Sequence, residues 1–100
     1  MEHKLAKKLK NAGFPECRET YSFDYKESIP DPTLSELIEA CGDGFNKLVN
    51  YNYTKKEIES LRKYGAYNGD WCAYGSPDSI SKQGKTPKIV VAKLWLKLNT

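Results

Sequence analysis

Apolar residues recur at helical spacing in three stretches of the chain. The clearest is the last, residues 86–99, where Val91, Leu94, Trp95 and Leu98 take the i, i+3, i+4, i+7 positions of one buried face and Val90 widens it. Thr86 is placed to N-cap this stretch, because its hydroxyl can accept from a free amide of the first turn. Pro87 suits the first helical position, where a missing N–H costs nothing. The pattern predicts a core helix over 87–98. Ile89 and Leu96 fall nearly opposite the main stripe, with Ala92 beside them, and Lys93 and Lys97 define the polar edge. A helix apolar on two sides is either sandwiched within the fold or keeps one face, here Ile89, Ala92 and Leu96, for a partner. The pattern leaves both readings open.

Two further helices are well marked. In residues 2–12, Leu5, Leu9 and Ala12 form one stripe, and Lys4, Lys7, Lys8 and Lys10 occupy the rest. Gly13 can take the left-handed position after the helix, with Phe14 folding back and Pro15 preventing continuation. In residues 33–41, Thr33 and Glu36 match a capping box, and Leu34, Leu37, Ile38 and Cys41 form the stripe before Gly42. A second capping box, Thr54 with Glu57, opens a short polar helix over 55–63 with Ile58 and Leu61 facing in.

The remaining pattern is that of strands. Residues 45–53 read as a strand with Phe45, Lys47, Val49, Tyr51 and Tyr53 on one face and Leu48 on the other. Asn68-Gly69, flanked by 64–67 and 70–74, predicts a hairpin with a type I′ turn. Trp71 and Ala73 then face the core, and Cys72 and Tyr74 face away. Tyr21, Phe23 and Tyr25 alternate with polar residues like a half-buried strand, followed by a connector over 27–32. Asp70 and Asp78 read as turn formers. The expected fold is α+β: one domain over 1–100, with a small antiparallel sheet built on the Asn68-Gly69 hairpin and strand 45–53. Three helices pack it, the C-terminal one central.

Composition narrows the function classes. At 100 residues with 39% hydrophobic positions, the chain is long enough for one small core and too apolar for obligate disorder. Its net charge of +3 permits an acidic partner or nucleic acid without requiring either. No run of about 20 apolar residues suggests a membrane span. Cys17, Cys41 and Cys72 are odd in number and unpaired by spacing, and the start has no apolar leader core. Both features predict reduced, metal-free thiols in a cytoplasm.

Catalytic chemistry has few candidates. His3 is the one histidine, in a terminal turn where nothing in the pattern holds its ring. Zinc spacing, a Walker A stretch and GxGxxG are all missing, so neither an enzyme nor a cofactor is expected. Lysines interleaved with aromatics are a route to nucleic acid. The candidate contacts are Lys4, Lys7, Lys8, Lys10, Tyr51 and Tyr53, with Tyr64, Tyr67 and Tyr74 beside them if they share an exposed face. The competing reading is tyrosines packed across a sheet.

Three strings carry a resemblance: KKLKNAGFP at 7–15, IPDPTLSELIEACGDGF at 29–45 and GKTPKIVVAKLWLKLN at 84–99. They are similar to a family of small uncharacterised phage and prophage-type proteins with a KLKxAGFP start, a PTLSELIEACG centre and a GxTPEEAVAxLWLxLN ending. Lys88 and Ile89 stand where that family has two glutamates. The resemblance implies a small cytoplasmic protein of bacterial or phage source and brings no known activity. A looser likeness, through Trp71, Ala73, Pro77-Asp78, Gly84, Thr86 and Ala92, is to the HicB-type antitoxin domain, which binds a small RNA-cleaving toxin. The expectation is a non-catalytic interaction module, with an unidentified protein or a second copy as partner. The alternatives are a nucleic-acid-binding domain and a HicB-like toxin-neutralising domain.

Overall fold

The computed structural model describes residues 2–77 and 79–100 and is α+β, as the pattern predicts. Its elements run α1 (His3–Asn11), β1 (Glu19–Ser22), β2 (Glu27–Pro30), α2 (Leu34–Cys41), β3 (Phe45–Asn50), α3 (Lys55–Lys63), β4 (Trp71–Gly75), β5 (Ser81–Gly84) and α4 (Pro87–Asn99). The strands form two antiparallel sheets, a β1–β2 pair and a three-stranded sheet in the order β3-β4-β5. Asp78, read as a turn former, lies outside the described residues.

The capping signals do what their chemistry requires. The Thr33 and Thr54 hydroxyls each accept from the amide three residues on, at 3.2 Å, while Glu36 and Glu57 return the bond to the cap amide. The Thr86 hydroxyl accepts from Ile89 N–H, with Pro87 in the first turn. After α1, Gly13 takes φ +82, and Phe14 turns back so that its ring meets Trp95 edge to face at 5.0 Å.

α4 is the centre of the molecule. Val90, Val91, Ala92, Leu94 and Trp95 are buried, joined by Leu5 and Leu9 of α1, Leu37 and Cys41 of α2, and Ala73 of β4. The helix packs on α2 and α1 on one side and chiefly on β4 and β5 on the other. Trp71 and Ala73 face this core, as their alternation predicts; Cys72 is buried outside it. α3 buries no residue, so three helices form the core and the fourth lies at its edge. Among the described residues no helix is long and apolar enough to cross a membrane.

Three expectations of the pattern are corrected. Residues 64–67 are not a strand, so no hairpin turns at Asn68-Gly69. α3 ends there in a Schellman motif, with Gly65 N–H on Arg62 O at 3.0 Å and Ala66 N–H on Leu61 O at 2.8 Å. Of the two turn residues Gly69 alone has positive φ, +121. β4 pairs instead with β3 and β5.

The second correction is the strand over 45–53. It stops at Asn50, because Asn52 goes left-handed (φ +48) with its amide on Asn50 Oδ1 at 2.9 Å. A bulge between Phe45 and Lys47 also shifts the alternation, so Phe45 and Leu48 both pack on the core.

The third concerns Tyr21, Phe23 and Tyr25. They lie on and around a hairpin tip, with Ser22 opposite Glu27, and are exposed, Phe23 by 84%. The expected connector over 27–32 contains β2.

Candidate functional site

The sequence candidates fall on separate surfaces. On α1, Lys7 and Lys10 turn to the β1–β2 hairpin: Lys7 Nζ lies 3.4 Å from Glu27 Oε1, and Lys10 Nζ donates to Ser28 O at 3.1 Å. His3, two turns back on the same side, is held after all. Its ring stacks on Tyr25 at 3.6 Å, and its Nε2 lies 2.8 Å from Glu27 Oε1. The His3 hydrogen bond, with Lys7 nearby, keeps the Glu27 carboxyl below its ordinary range. This triplet ties α1 to the hairpin, and none of its partners is a serine or cysteine nucleophile.

The tyrosines form a cluster at the end of β3. Tyr51 and Tyr53 stack at 5.5 Å, Tyr53 meets Tyr67 edge-on at 6.2 Å, and the hydroxyls of Tyr51 and Tyr74 are hydrogen-bonded. Lys47 sits 4.9 Å from the Tyr74 ring centroid and Arg62 5.4 Å from that of Tyr67. Tyr67 donates to Asp70 at 2.9 Å, and that bond raises its phenol pKa. These rings are engaged with one another and with the chain's own cations, while Tyr64 stands apart, 78% exposed. A nucleobase stacking here would have to displace those contacts.

The cysteines are chemically quiet. Burial pushes the Cys41 thiol up to about 11 and raises that of Cys72, so both are protonated at neutral pH and poor nucleophiles. Cys17 is half-buried and also raised, chiefly by burial. Among the described residues no three His, Cys, Asp or Glu side chains converge to hold a metal.

What the fold does bring together is a groove of about 1230 Å³ between α1, α4 and the outer side of β5. Lys4 and Lys8 come from α1, Lys82 from β5, and Lys93 and Lys97 from α4; Glu2 is the one carboxylate side chain among its described lining residues. Leu5, Ala12 and Leu96 supply apolar surface between the charges. Of the three residues on the second face of α4, Ala92 is fully buried, Ile89 lies half-buried on Gly84, and Leu96 is half-buried and opens into the groove. The groove exceeds the roughly 300–1,000 Å³ of ordinary small-molecule pockets and has no aromatic wall, so it suits a length of polymer better than a small ligand.

The available sequence signal was the i, i+4 spacing of Lys4 with Lys8 and of Lys93 with Lys97, which places each pair on one helix face. Nothing in the sequence said that the two faces meet. No family model, curated protein or solved structure matches the chain.

Proposed function

We propose that this protein is a non-catalytic interaction module that docks an acidic protein partner in the groove between α1, α4 and β5. The observation that carries the reading is Leu96: an apolar side chain half open to a groove where, among the described residues, five lysines face one carboxylate side chain. Such a surface combines an apolar anchor with a rim that steers an oppositely charged partner. The resemblance of the ends and centre of the chain to small phage-type proteins supports a phage or mobile-element origin and a cytoplasmic setting. The nucleic-acid reading loses support because none of the tyrosines lines the groove that holds Lys4 and Lys8. A HicB-like role asks for a basic toxin, which these lysines repel.

The test is retention from bacterial lysate by the immobilised chain, compared with Leu96→Glu and with the exposed pair Lys8→Glu/Lys97→Glu. An acidic protein held by the wild type and lost by both variants, with circular dichroism unchanged, is the expected result. Equal retention by all three, retention of nucleic acid instead, or no retention at all contradicts the reading.

A further inference from the structure

β5 is the outer strand of its sheet, and its residues Ser81, Lys82 and Gln83 line the groove. Gly75 N–H bonds Ile80 O at 2.7 Å, which makes 75 and 80 a bonded pair. Antiparallel alternation then turns Lys82 and Gly84 toward β4, and Ser81 and Gln83 toward the outer edge. Lys93 confirms the direction: its ammonium donates to the Gln83 carbonyl at 3.3 Å across that edge.

α4 packs chiefly on β4 and β5, with less on β3, so it sits toward this side of the sheet. Neighbouring strands lie about 4.8 Å apart, whereas a helix with its side chains is about 10 Å wide. The face of α4 carrying Leu96 therefore extends past the last strand and stays half-covered.

We infer that an extended acidic segment of another protein adds to β5 as a fourth strand, its inward side chains reading the groove; this rests on the interaction-module reading above. The register follows from the pleat. Lys82 pairs with the buried Ala73 and so belongs to the inner face of the sheet, the side on which α4 supplies Lys93, Leu96 and Lys97. Inward positions of the added strand, every second residue, face the side that holds Lys82, Lys93, Leu96 and Lys97, which selects acidic side chains with an apolar one among them. A second copy of β5 is disfavoured, because it would bring its own Lys82 against the same lysines. Lysines along an open edge are also how sheets avoid self-pairing, so one arrangement excludes the self-complex and admits an acidic strand.

The probe is a short synthetic peptide with glutamate, valine and glutamate at alternate positions and threonines between. Its controls are a shuffled peptide of equal composition, a version N-methylated on the amides facing β5, and oligothymidine. Amide shifts of the ¹⁵N-labelled chain follow each titration at low salt. The expected result is perturbation centred on Ser81, Gln83 and Leu96. N-methylation, which removes backbone bonds of about 1 kcal/mol each, should weaken affinity on the order of tenfold. Leu96→Glu should do the same.

Equal binding of the methylated or shuffled peptide overturns strand addition and leaves the groove reading standing. Perturbation centred outside the groove, tighter binding of oligothymidine, or no binding of any probe overturns strand addition and counts against the groove reading as well.

Discussion

Trp95→Ala should remove about 3–5 kcal/mol of stability, the range for deleting a buried aromatic. Trp95 is 4% exposed at the middle of α4, within the cluster that joins α1, α2 and the sheet. The Phe14 ring meets the indole edge to face, 5.0 Å between centroids, so the truncation also frees the turn that ends α1. A small domain holds roughly 5–15 kcal/mol in all, and its core is too small to close around the space left. Denaturant unfolding should show a far lower midpoint or no folded baseline. A loss under about 1.5 kcal/mol would mean that α4 is not the element the others pack against.

Gly69→Ala should be nearly as severe, on the order of 3–5 kcal/mol, for a different reason. Gly69 adopts φ +121, where an L side chain is strained, and a Cβ there would overlap the Gly84 carbonyl and lie 2.7 Å from Lys85 N. Those neighbours are backbone at the end of β5 and cannot rotate away. Gly13 is the control. It also has positive φ, +82, but a Cβ there meets nothing within 4 Å, so Gly13→Ala should cost only about 1–2 kcal/mol. Equal losses at the two sites, read from the same unfolding curves, would show that the close approach of Gly69 to β5 has no energetic weight.

The contrast between these glycines also explains what the sequence could reveal. Where a local signal has a single physical meaning, the pattern and the structure agree. Both capping boxes, the Thr86-Pro87 start and the Gly13 stop each concern groups a few residues apart. The errors arise where a local signal has two meanings. Asn68-Gly69 is the dipeptide of a type I′ turn, but here Gly65 ends α3 just before it and Gly69 lets the chain pass β5. The aromatic alternation at Tyr21, Phe23 and Tyr25 has the period of a strand, but four residues between β1 and β2 are taken by the turn. The bulge at Asn46 leaves no mark in composition, yet it reverses which side chains of β3 face inward.

The candidate site was legible only in pieces. Lys4 with Lys8, and Lys93 with Lys97, could be placed on helix faces, and Leu96 could be seen to lie off the main stripe. That Lys82 joins them depends on β5 being an edge strand, which follows from pairings across the whole second half of the chain. Ala92 shows the converse. Its position on the second face is legible, but its burial is set by what packs there, and it belongs to the core.

α4 is packed between the helices and the sheet, yet Leu96 stays half open to the groove. The most direct measurement compares Leu94→Ala with Leu96→Ala by equilibrium denaturation. Leu94 is fully buried, and its truncation should cost about 2–5 kcal/mol. Leu96→Ala, removing a side chain half open to the groove, should cost no more than about 1 kcal/mol with an unchanged slope. Equal losses for the two leucines would contradict the account, because Leu96 would then be one more core residue and the groove would have no apolar anchor to offer a partner.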